Sequence, residues 1–362
     1  MKQKIISSAP GRICLFGDHQ DYLELPVIAC AINRYITVEA KPNKNAYFKI
    51  MMSDLNKEEV IHFDQTLQEI QERDYLRIAL KVLRRYGCVP NTGFDMHVSG
   101  TIPINAGLSS SSALTVAWIH LMVTIFGINE RITPQLIARL AYETEVLEHA
   151  SSGGKMDQYT ISMGNTIFLD TRNDKIINLK NAMGKLIVGV SGEAKDTLGT
   201  LSKLKNEAHA AIRKVTDHFI DFDIHTAKIT DLSNYSSVLT NDLKPIFQAA
   251  IENHKITLKA YKAMNTRVPD LEYIGDLMNR HHELLKNNLK ITTPRIDKMI
   301  DKALKAGAYG AKIVGSGGGG CIVAIGTEEN EERIINAITE ADAVDAFSVN
   351  VSRGASIESK SK

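Results

Sequence analysis

The chain has 362 residues, of which 44% are hydrophobic and 23% are charged. This length exceeds the size at which one hydrophobic core usually stops growing, so two domains are expected. The 43 basic and 42 acidic residues leave a formal charge of +1, which gives no global field to attract nucleic acid or an anionic membrane. Any anion site must therefore be local.

The cysteines and the apolar patterning point to a cytoplasmic protein without a membrane partner. The four cysteines are far apart in sequence and form neither a CxxC pair nor a metal-binding spacing: Cys14, Cys30, Cys88 and Cys321. We expect them to be reduced and buried. The first ten residues carry no apolar leader region, and no run of 18 apolar residues occurs in the sequence.

The first half of the chain begins with a predicted sheet. Strand-like apolar runs at 5–7, 13–16, 27–40 and 47–52 favour a mixed or antiparallel arrangement.

Three helices are predicted after these strands. Apolar residues recur at helical spacing over 74–86, and Gly87 follows as a residue that ends a helix. The nearly all-apolar stretch 112–126 is typical of a buried helix. Thr133 and Pro134 form an N-cap and first-turn pair for a third helix that runs to about residue 150.

The second half of the chain has a different order of predicted strands and helices. The polar run 173–185 is interpreted as a turn that contains the domain boundary. A strand at 186–191 precedes several helices that end near residue 305. The order strand, glycine loop, strand, helix, strand is then predicted over 311–351, and 356–362 is predicted to be a solvated tail. The fold class is α+β, with domains at 1–180 and 181–355.

A run of serines marks the first candidate binding site. Gly107, Leu108 and the four serines 109–112 lead from a strand directly into the buried helix, so backbone N–H groups and the positive helix end point to one place. This arrangement favours a bound phosphate, and the alternative is a plain serine N-cap. The loop is not a Walker A motif, because no Gly-Lys-Ser/Thr follows.

A glycine-rich loop marks the second candidate site. Residues 315–320 contain five glycines in six positions between two apolar strands. So permissive a backbone is typical of a close approach by a ligand, and Gly317 and Gly318 are the candidates here. The alternative is a flexible hairpin.

Three separated segments form a combined pattern: residues 9–22 (APGRICLFGDHQDY), 103–113 and 312–321. Together they resemble the GHMP kinases, the family of galactokinase, homoserine kinase and mevalonate kinase. The resemblance implies an N-terminal domain like that of ribosomal protein S5 and a ferredoxin-like C-terminal domain. It also implies that ATP and a small-molecule substrate bind between them.

The same resemblance assigns the reacting groups. Asp157 corresponds to the family aspartate that interacts with the attacking hydroxyl, and Arg12 is its cationic partner. Glu145 and Ser111 correspond to the Mg²⁺ ligands, and hard oxygen donors suit that ion. Phosphoryl transfer needs little else from a protein beyond positioning and charge neutralisation.

The acceptor is expected to be a sugar. Asp18, His19 and Asp21 match galactokinase residues that contact sugar hydroxyls, and Gly154 and Asp157 complete the predicted substrate site. Two departures make galactose itself doubtful: Asp18 and Gln20 replace Glu and Thr of galactokinases, and 192–208 lacks a tyrosine.

The main hypothesis is therefore an ATP-dependent sugar kinase that phosphorylates the anomeric hydroxyl. Residues 153–159 also resemble heptose and fucose kinases, and Lys155 could meet an anionic substituent. A heptose phosphate, a uronic acid or an alcohol such as mevalonate remains an alternative acceptor. A non-catalytic sensor of sugar and ATP is the alternative of another class.

Overall fold

The structure is a computed structural model that describes residues 4–63, 70, 74–148, 151–180, 183–193 and 197–360. The strands, in chain order, are β1 (Lys4–Phe16), β2 (Val27–Pro42), β3 (Tyr47–Met52), β4 (Lys57–His62), β5 (Phe94–Gly100), β6 (Thr166–Asp170), β7 (Lys175–Leu179), β8 (Lys185–Val190), β9 (Gly310–Val314), β10 (Cys321–Gly326), β11 (Asp345–Val349) and β12 (Ser356–Lys360). The helices are α1 (Tyr75–Arg85), α2 (Ser110–Phe126), α3 (Pro134–Tyr142), α4 (Met156–Met163), α5 (Thr197–His218), α6 (Leu232–Ser236), α7 (Leu243–Met264), α8 (Leu271–Asn287), α9 (Pro294–Lys305) and α10 (Glu331–Thr339). A π-helical turn, Glu143–Leu147, continues α3.

The first sheet is mixed, which is one of the two arrangements that the sequence favours. Among the described residues it has eight strands, with β12-β1-β2-β5-β3-β4 as the main order, and β6 and β7 extend it from β2. All pairs are antiparallel except β3 with β5. Helix α2 packs against β1 and β2 and has buried side chains on every face. This burial explains its largely apolar sequence.

The predicted starts of two helices and the predicted end of one are confirmed by their caps. The third helix, predicted to run to about residue 150, is α-helical only to Tyr142 and π-helical to Leu147, and position 150 lies outside the described residues. The Asp74 side chain accepts the N–H of Arg77 at the start of α1, and Gly87 follows that helix with a φ of +82°. Thr133 accepts the N–H of Leu136 at the start of α3. These caps depend only on residues that are close in sequence, which is why they can be recognised from the sequence alone.

The second sheet has the order β11-β8-β10-β9 and is antiparallel throughout. Numbered within this sheet, the order is 4-1-3-2. With helices between its first and second strands and between its third and fourth, this is the ferredoxin-like arrangement that the resemblance implies. The α+β fold class is confirmed. The domain boundary between 180 and 181 stays a prediction, and position 181 lies outside the described residues.

Two segment predictions are wrong. The run 173–185 is not only a turn, because β7 lies within it and pairs antiparallel with β6. The expected tail is an ordered strand over 356–360, because β12 pairs with β1 from Lys4 to Ser8 and so returns to the first sheet. Ile357 packs against the core there, although polar neighbours hide that signal in the sequence. Positions 361–362 lie outside the described residues.

The cysteine prediction is confirmed, since all four cysteine side chains are buried and none belongs to a disulfide. Within the described part of the chain, no helix is both long and apolar enough to span a bilayer.

Candidate active site

One cavity of about 540 Å³ gathers most of the predicted site residues. It lies where the serine loop, the segment after β1, the start of α4 and the glycine loop meet. The predicted residues that line it are Arg12, Asp18, His19, Asp21, Gly107, Ser109, Ser110, Ser111, Ser112, Glu145, Gly154 and Asp157. Three predicted residues, Leu108, Gly317 and Gly318, are not part of this lining.

Arg12 on β1 and Asp157 in the first turn of α4 form a two-point ion pair. Arg12 Nε donates to Asp157 Oδ1 at 2.7 Å and its Nη2 donates to Oδ2 at 2.8 Å. Arg12 Nη1 also donates to the carbonyl oxygen of Gly107 at 2.6 Å. The Ser109 hydroxyl donates to Asp157 as well. The carboxylate is therefore held in one orientation beside the serine loop.

The serine loop has the geometry of an anion site. Gly107 and Ser109 have positive φ angles of +84° and +61°, and α2 begins directly afterwards at Ser110. The positive end of a 17-residue helix is thus directed at the cavity, with the hydroxyls of 110–112 beside it. Leu108 differs, because its side chain is in the core and its carbonyl accepts the N–H of Arg12 at 3.1 Å.

Glu145 is a buried carboxylate surrounded by neutral donors. It accepts hydrogen bonds from Ser112 Oγ and Thr115 Oγ1, each at 2.8 Å, and from Gln158 Nε2 at 2.5 Å. Burial is the main cause that raises its pKa to about 7. No lysine or arginine of the described residues forms an ion pair with it.

These surroundings fit a divalent cation, because a buried carboxylate without a charged partner is stabilised by one. Ser111 is exposed to the cavity and can supply a second oxygen. Ser112, rather than Ser111, contacts Glu145 directly. No group of three or more His, Cys, Asp or Glu within the described ranges could hold a metal ion. The remaining ligands would come from water and nucleotide oxygens.

The segment after β1 places two acidic side chains in different surroundings. Asp18 Oδ2 forms an ion pair with Lys312 Nζ at 2.7 Å, Asp18 Oδ1 accepts the N–H of Gly315 at 2.8 Å, and the side chain has 0% exposure. Asp21 accepts from the backbone N–H groups of Tyr22 at 3.0 Å and Met156 at 3.4 Å. Burial, followed by the charge of Asp157, raises the pKa of Asp21 to about 6.

His19 lies between these acids in a left-handed backbone conformation with a φ of +61°. Its Nδ1 is 3.3 Å from Tyr22 Oη, and its Nε2 is 3.2 Å from the carbonyl oxygen of Ser316. The predicted substrate residues are therefore brought together, but the Asp18 carboxylate itself is fully buried against Lys312 and Gly315.

Gly154 is required by its contact with Asp21. A Cβ atom at Gly154 would lie 2.1 Å from Asp21 Oδ2, so the glycine allows the carboxylate to approach the backbone. Lys155 next to it points elsewhere, since its Nζ donates to Asp174 Oδ1 at 2.6 Å and to the carbonyl of Thr171 at 3.2 Å.

Gln20, which replaces the threonine of galactokinases, is not among the residues that line the cavity. Its amide nitrogen donates to the carbonyl oxygen of Pro26 and to Thr257 Oγ1, the latter at 3.3 Å, so it ties this segment to α7.

The glycine loop contacts the cavity two residues earlier than predicted. Gly315 and Ser316 line it. Gly317 instead packs on Ile291, 2.5 Å from where its Cβ would be, and Gly318 donates its N–H to the Ile291 carbonyl at 2.7 Å. The space beside Gly318 is open. Glycine content therefore located the loop but could not show which residues face inward.

Sequence reasoning missed several residues at the site. Lys312 is buried in β9 behind Asp18, and Gln158 donates to Glu145. Tyr75 and Asn105 also line the cavity. Gln158 could have been recognised as a site residue because it is adjacent to Asp157. Lys312 could have been recognised because it is a lysine within an apolar strand.

Comparison with known proteins agrees with this geometry. Residues 74–165 match the family model "GHMP kinases N terminal domain", and residues 260–343 match "GHMP kinases C terminal". Residues 1–42, which contain Arg12, Asp18, His19 and Asp21, match the "Galactokinase galactose-binding signature".

Similar proteins cover nearly the whole chain. A mevalonate kinase of Thermococcus gammatolerans is 27% identical over 350 residues, which are 93% of this chain and 93% of that protein. A galactokinase of Clostridium perfringens is 28% identical over 361 residues, covering 92% of this chain and 88% of its own.

The fold is also shared with a solved structure. Lactococcus lactis galactokinase complexed with galactose superposes with a TM-score of 0.86 at 20% identity, covering 98% of this chain and 95% of that one. Two matched family domains, a matched signature and a shared fold lead to one conclusion: the chain belongs to the GHMP kinase family and is an ATP-dependent phosphotransferase with an alcohol group as acceptor.

Proposed function

We propose that this kinase transfers the γ-phosphoryl group of ATP to the anomeric hydroxyl of a neutral monosaccharide, giving a sugar 1-phosphate in the cytoplasm. The observation that carries the proposal is the joint position of the Arg12–Asp157 pair, Asp21 and His19 around one cavity. Carboxylate and imidazole groups supply the directional hydrogen bonds that distinguish polyols from other alcohols.

Different side chains of the site have different roles in the proposed phosphoryl transfer. Asp157 is oriented to accept the proton of the attacking hydroxyl, and Arg12 keeps that carboxylate fixed and adjacent to positive charge. The N-terminus of α2 and the hydroxyls of 110–112 receive phosphate oxygens. Glu145 and Ser111 would hold Mg²⁺, which neutralises negative charge on the phosphates when it is bound.

The charge of the lining favours a neutral acceptor. Among the described residues that line the cavity, Arg12 is the one lysine or arginine, and Asp157 already pairs with it. Lys155, the predicted partner for an anionic substituent, pairs with Asp174 instead. A uronate, a sugar phosphate or mevalonate would bring a charge that these described side chains leave without a partner.

The test is ADP release from Mg·ATP across a panel of neutral sugars, deoxy sugars, uronic acids, heptose phosphates and mevalonate. Asp157→Asn serves as the blank, and phosphorus NMR of the product locates the new phosphate. We expect one neutral sugar to exceed the others and to carry phosphate at its anomeric oxygen. Turnover of mevalonate alone would move the assignment to that acceptor, and ATP binding without any turnover would support the sensor.

A further inference from the structure

We propose that Asp18 and Lys312 are positioning residues: their buried ion pair fixes the Gly315–Ser316 segment of the glycine loop as a wall of the active site, and Asp18 makes no contact with the acceptor. This inference rests on the proposed function for the identity of the acceptor. The wall itself is defined independently by the residues that line the cavity.

The pair joins residues that are 294 positions apart, one in the second sheet and the other just after a strand of the first sheet. Lys312 lies in β9, and Asp18 follows β1. Lys312 Nζ is 2.7 Å from Asp18 Oδ2, and both side chains have 0% exposure. Nζ also donates to the carbonyl oxygen of Cys14 at 3.1 Å. The second sheet is thereby fixed to the strand that carries Arg12.

The other oxygen of Asp18 reaches the glycine loop itself. Asp18 Oδ1 accepts the N–H of Gly315 at 2.8 Å. The neighbouring His19 approaches the next residue, with Nε2 3.2 Å from the carbonyl oxygen of Ser316. Two consecutive residues of one segment thus hold two consecutive residues of the other, and Gly315 and Ser316 are the loop residues that face the cavity.

The buried charges of Asp18 and Lys312 stabilise each other. Burial alone would raise the pKa of Asp18, but the charge of Lys312 brings it down to about 2, so the carboxylate stays ionised. The adjacent His281 does not serve as a second cation, because burial followed by Lys312 lowers its pKa to about 3. Because the Asp18 carboxylate is paired with the Lys312 ammonium group, its Oδ1 atom is held in a fixed direction toward Gly315.

The same burial argues against a direct role in acceptor binding. A side chain with 0% exposure presents no surface that a sugar hydroxyl could reach without rearrangement. Asp21, which stands three residues later and lies next to Asp157, remains available for that contact. The acidic residues of this segment therefore have separate tasks.

The test uses two double variants of the full chain, neither of which leaves an unpaired buried charge. Asp18→Asn with Lys312→Met retains an amide oxygen for the Gly315 N–H, and Asp18→Ala with Lys312→Met removes it. Lys298→Met, which breaks an exposed ion pair with Asp342, is the control for the substitution itself. Melting temperature, the dissociation constant of a Mg-bound non-hydrolysable ATP analogue, and kcat and KM for the acceptor are measured for each.

We expect the alanine double variant to bind the nucleotide analogue about tenfold more weakly than the asparagine double variant. Its melting temperature should also be somewhat lower, because the buried N–H of Gly315 loses its acceptor. We also expect its loss in kcat/KM to be the same for every deoxy analogue of the acceptor. Equal nucleotide affinity in the two double variants would overturn the proposal. A loss that disappears for one particular deoxy sugar would also overturn it, because it would show direct contact with that hydroxyl.

These outcomes are separable from failure of the proposed function. If the wild-type protein phosphorylates no sugar, the sugar assignment fails. The nucleotide dissociation constants of the two double variants still decide whether Asp18 and Lys312 position the loop.

Discussion

Arg12 and Asp157 meet through two parallel hydrogen bonds although 145 positions separate them. Asp157 additionally accepts from Ser109, which lies at the N-cap of α2. The group proposed to receive a proton is therefore connected directly to the loop proposed to receive phosphate. A small displacement of either would change their relative geometry, which catalysis by positioning depends on.

The first prediction concerns Asp157→Asn. We expect kcat to fall by roughly 10²- to 10⁴-fold, the range for loss of a general base, because the amide cannot take up the hydroxyl proton. The affinity for Mg·ATP, measured by calorimetry, should change little, since the serine loop and Glu145 remain. Asp342→Asn is the matched control, because Asp342 pairs with Lys298 on the surface. Near-normal turnover in Asp157→Asn would remove the catalytic assignment.

The second prediction concerns the pH dependence of stability through Glu145. Its pKa is about 7 in the folded protein against an ordinary value of 4.5. Between these values the folded state holds a proton that the unfolded chain has released, so the stability of the metal-free protein should fall as pH rises through this interval. A metal ion prefers the ionised carboxylate, so Mg²⁺ should raise the melting temperature more at about pH 8 than at about pH 6.

The measurement is a thermal melt with and without Mg²⁺ at both pH values. Glu145→Gln should remove the difference between them. Glu148→Gln is the control from the same region, because Glu148 pairs with Lys81 and Arg85. A Mg²⁺ effect in Glu145→Gln that equals the wild-type effect at both pH values would place the metal elsewhere.

The third prediction concerns acceptor binding by Asp21. Its pKa of about 6 means that the carboxylate loses its charge as pH falls through that value. We expect kcat/KM for the acceptor to decline below about pH 6, because a protonated acid accepts hydrogen bonds more weakly. Asp21→Asn should lower kcat/KM by about 10- to 100-fold and lose this acidic limb. A variant that keeps both the rate and the limb would show that another group titrates.

The fourth prediction compares neighbouring glycines. Gly154→Ala would place a methyl group 2.1 Å from Asp21 Oδ2, so the carboxylate must move and the KM of the acceptor should rise. Gly153→Ala is the matched control, because its Cβ would meet Val146 at an ordinary 3.4 Å. The comparison is made by steady-state kinetics with saturating ATP. Equal KM values in the two variants would show that the position of Asp21 does not limit acceptor binding.

Sequence was sufficient for features that neighbouring residues determine. The start of α1 at Asp74 and the residue that ends it, Gly87, follow from capping chemistry that a few residues contain. The serine loop and its helix were equally visible, because an apolar stretch and a serine run adjoin there. The resemblance added the identities of Arg12 and Asp157, which no local pattern would have paired.

Features that depend on distant partners could not be predicted. Strand β7 is flanked by polar residues, and its existence depends on β6 as a pairing partner. The direction of the Asp18 carboxylate depends on Lys312, whose sequence context shows only a lysine in an apolar strand. Which glycines of the loop face inward depends on Ile291, because that residue occupies the space beside Gly317.

The pairing of β12 with β1 has a consequence for synthesis of this protein on the ribosome. The segment that covers the free edge of the strand carrying Arg12, over Lys4–Ser8, is made more than 300 residues after that strand. Until then the nascent first domain exposes unpaired backbone groups along that edge, which are a template for pairing with other chains. A fragment that stops before Ser356 would retain this exposed edge permanently, so we expect it to aggregate where the full chain does not.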